Sequence, residues 1–222
     1  MDYEIVAFYR HKESEVSAHA EQVCATFGLG LRYEKVPGTA SAIAAILNEK
    51  SVICLFNWDF LGTYRLMKYV YYLSRPSLIV RSDWTKDGYL HLKIPVGYLQ
   101  ENKEKVVWAN FLQKHNANVD IELLVPKEED SGISTMVNDN LFFIKKILAN
   151  SEAHFKETFA EEDTGTNLKN TFKTADNSMI LVMRSFRLFT FYIPFRLRMF
   201  VKYGHTPTLI IPRDDELYIP CH

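Results

Sequence analysis

Apolar positions along this chain fall into short runs whose period switches repeatedly between that of a strand and that of a helix. Residues 4–9 form an apolar, aromatic-rich run that predicts a strand. Val16, Ala20, Val23 and Phe27 then recur at spacings of four, three and four, one face of a helix that Gly28 is placed to end. Residues 29–36 predict a second strand. Pro37-Gly38 breaks the chain, and Thr39 can cap a helix with Ile43, Ile46 and Leu47 on one side. Residues 51–56, continuously apolar after Ser51, predict a strand covered on both faces. A helix over 64–73 and a strand over 77–80 follow.

The segment 81–89 is polar and turn-rich, with Asp87-Gly88 as punctuation, and the alternation restarts beyond it. Residues 90–96 predict a strand with Pro95 near its end. A helix over 101–115 carries Val107, Trp108, Phe111 and Leu112 on one face, and residues 118–125 form a strand. The charged stretch 127–134 reads as a solvated loop. Val137, Leu141, Ile144 and Leu148 mark the next helix, followed by a strand over 154–159 and a short helix over 167–174. Residues 178–212 then predict a strand over 179–183, a crowded aromatic loop, a helix ending near Tyr203-Gly204, and a strand launched from Pro207. Strands alternating with helices throughout imply parallel sheets built from right-handed βαβ units.

This last stretch has an earlier copy. Pairing Arg65 with Arg196 and Asp83 with Asp214 aligns nineteen positions without a gap, of which eight are identical. They include Tyr72/Tyr203, Pro76/Pro207, Leu78/Leu209 and Ile79/Ile210. A four-residue insertion in the later copy extends the match back through Ser51/Ser178 and Ile53/Ile180 to Gly38-Thr39/Gly165-Thr166. Residues 4–9 then correspond to 118–125, and the first half lacks the βα unit represented by residues 90–116. Two units are therefore expected, 1–83 and 84–222, the first truncated.

Composition adds exclusions. The 222 residues are 47% apolar and 24% charged, the range of a globular protein, and a net charge of −1 gives no general attraction for nucleic acid or anionic membrane. Three widely spaced cysteines (Cys24, Cys54, Cys221) suggest neither a disulfide framework nor a zinc site, and a reducing compartment is the simpler reading. The N-terminus lacks the pattern of a signal peptide, and no run approaches the ~20 apolar residues of a spanning helix. A cytoplasmic location is expected. The histidines show no metal-ligand spacing, and no nucleophile elbow, Walker A loop or catalytic carboxylate-pair pattern is present. Neither catalysis nor a bound metal is expected.

The second half resembles a universal stress protein domain. Leu92-Lys93-Ile94-Pro95-Val96 resembles that family's first strand, and residues 105–126 resemble its first helix and second strand. Ala175-Asp176 before 179–183 resembles the entry to its fourth strand, and Thr206-Pro207-Thr208-Leu209-Ile210-Ile211-Pro212 resembles its closing strand. The resemblance covers about 89–214 and, more faintly, 3–83. It implies an α/β, Rossmann-like fold of open five-stranded parallel sheets with helices on both faces, here as two tandem units, and a homodimer.

In the family's ATP-binding branch, a carboxylate after the first strand holds the adenosine, and a G-x-x-G-x(9)-G-[ST] loop after the fourth cradles the phosphates. Glycines let backbone N–H groups approach the phosphate there. This chain has Gly97 where the carboxylate would stand, and Arg184-Ser185-Phe186-Arg187 where the glycine loop would begin. The expectation is a non-catalytic, stress-related binding or scaffold protein without family-style ATP binding and without a cofactor. Two alternatives stay open. A nucleotide or small anion could sit beyond the strand ends at Gly97, Tyr98, Arg184, Ser185 and Arg187. The stretch 184–205, with Phe186, Phe189, Phe191, Tyr192, Arg196 and Arg198, could instead meet a protein, an anionic surface or a nucleic acid, although the near-zero net charge argues against the last two.

Overall fold

The computed structural model describes residues 4–9, 21, 25, 30–35, 39–51, 53–81, 89–98, 103–161, 166, 170, 177–184 and 204–213. The first half contains β1 (Glu4–Tyr9), β2 (Gly30–Lys35), α1 (Ala40–Lys50), β3 (Cys54–Asn57), α2 (Trp58–Tyr72) and β4 (Ser77–Val80). The second contains β5 (His91–Pro95), α3 (Lys103–His115), β6 (Asp120–Val125), α4 (Ser131–Asn150), β7 (Phe155–Phe159), β8 (Ser178–Arg184) and β9 (Thr208–Pro212). The helices expected over 16–27 and 167–174 and before Gly204 lie mainly or wholly outside the described residues, as does the aromatic loop.

The α/β alternation holds. Strands β9-β8-β5-β6-β7 lie side by side and are all parallel, the expected five-stranded set with β5 at its centre. The sheet does not stop there. β4 pairs antiparallel with β9, and β3 pairs parallel with β4, giving one seven-stranded sheet in the order β3-β4-β9-β8-β5-β6-β7. β1 and β2 form a separate parallel pair.

The two faces of the large sheet carry different helices. On one, α3 and α4 cover the second half, and Val106, Ala109, Val137, Leu141, Ile144 and Leu148 pack on Leu92, Ile94, Ile121, Leu123, Leu181 and Leu209. Each aliphatic side chain taken wholly from water contributes roughly 1.5–3 kcal/mol, so this layer dominates the stability of the half. On the other face, Ile43, Ala44 and Leu47 of α1 and Leu66, Met67, Val70 and Leu73 of α2 pack on Cys54, Phe56, Ile79 and Ile210. Ile210 belongs to β9, so the first half completes its core with a residue of the second.

The caps follow local sequence. Thr39 Oγ1 accepts from Ala42 N at 3.3 Å to start α1, and Ser51 N donates to Leu47 O at 2.9 Å to end it. Ser51 is thus a helix cap rather than the start of the strand. Asp130, in the charged loop, starts α4 by accepting from Ile133 N at 2.9 Å.

Three expectations need correction. The buried face of α3 is Glu104, Lys105, Val106, Ala109 and Gln113, while Val107 and Phe111 are exposed. Large apolar side chains misled because polar groups with backbone partners hold the inner positions: Gln113 Nε2 donates to Val119 O and His154 O, both at 2.8 Å, and Gln113 Oε1 accepts from His154 N at 3.0 Å. β3 is not covered on both faces, since Ile53 and Leu55 are exposed. The repeat is also displaced by one residue in its earlier part. Cys54 N donates to Pro76 O and Ile180 N to Pro207 O, each at 2.9 Å. Pro76 and Pro207 are equivalent, so Cys54, not Ile53, matches Ile180, and the insertion between strand and proline is five residues.

Candidate functional site

In an open parallel sheet the natural crevice lies beyond the carboxyl ends of the strands where the connections diverge. Here that point is between β5, whose chain leaves through α3 to β6, and β8 on its other side.

The exit of β5 is tied down by polar side chains of the two covering helices. Lys105 Nζ, buried, donates to Pro95 O at 2.7 Å, and Asn140 Nδ2, at the edge of burial, donates to Gly97 O at 2.7 Å. Val96 N adds a bond to Leu124 O at 2.9 Å, and Tyr98 packs half-buried against the core. A Cβ built on Gly97 would have nothing within 4 Å, so packing does not require glycine there. Lys105 and Asn140 were not anticipated. The available signal was a polar residue, Asn140, set among Val137, Leu141 and Ile144 on an otherwise apolar helical stripe.

Arg184, the last residue of β8, turns toward the first half. Its Nη1 donates to Val70 O at 2.6 Å, to Tyr71 O at 3.3 Å and to Leu73 O. Val70 and Tyr71 lie in the last turn of α2 (Trp58–Tyr72) and Leu73 follows it directly, so Arg184 meets carbonyls at the negative end of the helix dipole. Burial pulls the guanidinium down to about 10, against a smaller opposing effect of Tyr71. It therefore stays charged at neutral pH.

A counterpart contact runs the other way. Arg81, immediately after β4, donates from Nη1 to Gly204 O at 2.9 Å and lies 4.2 Å over the Trp58 ring, a cation–π distance. Leu73 and Gly204 are equivalent positions of the repeat. Each half therefore offers the same carbonyl to an arginine of the other.

Of the sequence candidates for a ligand site, Gly97 and Tyr98 lie at the β5 exit and Arg184 at the end of β8 against α2. Ser185 and Arg187 lie outside the described residues, as do Phe186, Phe189, Phe191, Tyr192, Arg196 and Arg198. Among the described residues no three His, Cys, Asp or Glu side chains gather as a metal site, and no helix is long and apolar enough to cross a membrane. Cys54 is a core residue whose thiol burial pushes up to about 11, which leaves little thiolate at neutral pH.

No family model matches the sequence, and no curated protein matches it. Solved structures do. A universal stress protein from Archaeoglobus fulgidus superposes with a TM-score of 0.62 at 11% identity, covering 92% of this chain and 80% of that one. A putative universal stress protein from Pseudomonas aeruginosa UCBPP-PA14 gives 0.60 at 11%, covering 96% and 84%. A functionally unknown protein from Pseudomonas aeruginosa PAO1 gives 0.61 at 10%, covering 96% and 83%. The fold is universal-stress-protein-like. At this identity the likeness speaks to architecture alone.

Proposed function

We propose that the chain is a tandem universal-stress-like protein, 1–83 and 84–222, acting as a non-catalytic binding or scaffold protein that does not hold ATP in that family's manner. The observation that carries this reading is the engagement of Arg184 with the terminal carbonyls of α2. The basic group best placed to grip a phosphate beyond β8 is spent on joining the two halves. Gly97 supplies no carboxylate, and its carbonyl is already bonded to Asn140.

The tandem reading is supported by the antiparallel β4–β9 ladder, in which the equivalent residues Leu78 and Leu209 face each other at its centre. Truncation of the first unit is supported by the isolation of β1 and β2 from the large sheet. In the second half the counterpart of the missing strand, β5, is what links β6 to β8. Without such a strand the first half divides into β1–β2 and β3–β4. A cytoplasmic, stress-related role and self-association as a homodimer complete the proposal.

A thermal-shift panel of ATP, AMP, cyclic nucleotides and simple anions tests it. A nucleotide at a thousand times its Kd would stabilise the fold by about 4 kcal/mol, or several degrees. The expected result is no shift. Stabilisation at micromolar nucleotide that disappears in Arg184→Ala would favour the anion-binding reading instead, for which the open space beside Gly97 is the specific support.

A further inference from the structure

We infer that the outward face of α2 binds single-stranded RNA, with Tyr64 and Tyr72 stacking on bases while Arg65 and Lys68 meet phosphates. This rests on the binding reading above and deepens it by naming the class of partner.

The placement follows from the helical period. Leu66, Met67 and Val70 are buried against Cys54, Phe56, Ile79 and Ile210. Tyr64, Lys68 and Tyr72 recur every four residues and therefore stand on the side of the helix opposite that core. Tyr64 is 75% exposed and Tyr72 43%, and Arg65 and Lys68 are exposed beside them. Eight residues of helix separate the two rings by about 12 Å along the axis, with the Lys68 position midway.

The internal repeat marks two of these positions independently. Arg65 is matched by Arg196 and Tyr72 by Tyr203, although more than half of the nineteen aligned positions differ. Packing explains Leu66/Leu197, Val70/Val201 and Ile79/Ile210, because Leu66, Val70, Ile79 and Ile210 are core residues. It does not explain an exposed arginine and a half-exposed tyrosine. Recognition of a partner does.

Charge names the partner. From Phe60 to Ser82 the chain has four basic residues and no acidic one. Arg81 is bonded to Gly204 O and Arg75 to Asn48 O, so Arg65 and Lys68 are the cations of the outward face. Glu49 of α1 lies at the far end, beside Asn48, whose amide bonds Tyr72 O and Ser74 N. A net charge near zero weakens any long-range field, but charges act within about 8 Å at physiological salt, so the local balance decides. A membrane-surface helix needs an apolar face to insert, and that of α2 is spent on the core. A duplex hides its base faces in the stack. An unpaired strand offers base faces to the tyrosines and phosphates to the cations, and in the cytoplasm proposed above such strands are RNA.

The test uses the full chain and a fluorescein-labelled oligouridine of about 16 nucleotides, followed by anisotropy from about 50 to 200 mM salt. Expected is saturable binding at micromolar Kd in low salt that weakens as salt rises. Arg65→Gln with Lys68→Gln should weaken it at least tenfold and flatten the salt slope by about 1.4, or ~0.7 for each cation. Tyr64→Ala should weaken it at least fivefold and leave the slope unchanged, because stacking releases no counterions. These side chains are exposed, so each variant should keep the thermal midpoint of the wild type. The proposal is overturned by no saturable binding at low salt, or by equal affinity for the same strand in a duplex. It is also overturned by affinity that survives both variants, or by capture on phosphatidylserine vesicles without binding of RNA. Failure here with a silent nucleotide panel removes only the RNA surface, whereas a nucleotide response lost in Arg184→Ala removes the reading beneath it.

Discussion

Leu78 and Leu209 are equivalent positions of an internal repeat, and they lie directly opposite each other in the β4–β9 ladder. Ser77 faces Ile210 and Ile79 faces Thr208, so the pairing reads the same from either strand. This is the self-complementary geometry of a two-fold interface, here formed inside one chain. Leu209 is almost fully buried and Leu78 only partly. Leu209→Ala should cost about 2–5 kcal/mol in urea unfolding, and Leu78→Ala distinctly less. Equal losses would mean that the two sides of the ladder are equally packed.

Arg184 should matter to stability more than to any ligand. Arg184→Ala leaves the terminal carbonyls of α2 without their charged donor, and bonds to charged groups contribute roughly 1.5–3 kcal/mol. A lowered midpoint of thermal unfolding is expected. Arg184→Lys should recover only part of it, because an ammonium does not reproduce the planar fork. An unchanged midpoint in Arg184→Ala would count against the contact.

Gln113 offers a sharper case. Its amide joins Val119 O to both backbone groups of His154, tying the end of α3 to the starts of β6 and β7. Gln113→Leu should destabilise by about 2–4 kcal/mol despite added hydrophobicity, since the partners remain buried and unmatched. Gain of stability on that substitution would refute the role assigned to the amide.

Cys54 predicts a pH dependence. Its folded pKa is raised, from 9.0 to about 11, so the folded state holds a proton that the unfolded chain gives up first. The contribution is complete below about pH 9 and is lost as pH rises toward about 11. Wild type should therefore lose about 1–3 kcal/mol across that window relative to Cys54→Ala. Parallel curves for the two proteins would contradict it.

Strand–helix alternation was legible because buried strands and amphipathic helices leave different periods in the sequence, and the shared P-x-L-I pattern disclosed the relation of β4 to β9. The pairing of those strands was not legible, because no local pattern states which edge meets which. The displacement of Cys54 against Ile180 was hidden for a similar reason: Ser51 looks like Ser178 but serves as a helix cap. At the candidate site, Gly97 and Arg184 were identifiable by position after their strands. The direction of Arg184 was not, since a guanidinium on a flexible stem can reach a phosphate or a helix end equally well. Lys105 and Gln113 were missed because burial of a polar side chain depends on backbone partners supplied by distant elements.

The in-chain meeting of the two halves is tested most directly by a disulfide. Leu78→Cys with Leu209→Cys puts thiols on residues that oppose each other across antiparallel strands, within the Cα separation that a disulfide spans. Mild oxidation of the double variant, followed by peptide mapping under non-reducing conditions, should give a 78–209 link within one chain. No link, or a link found only between two chains, would contradict the account.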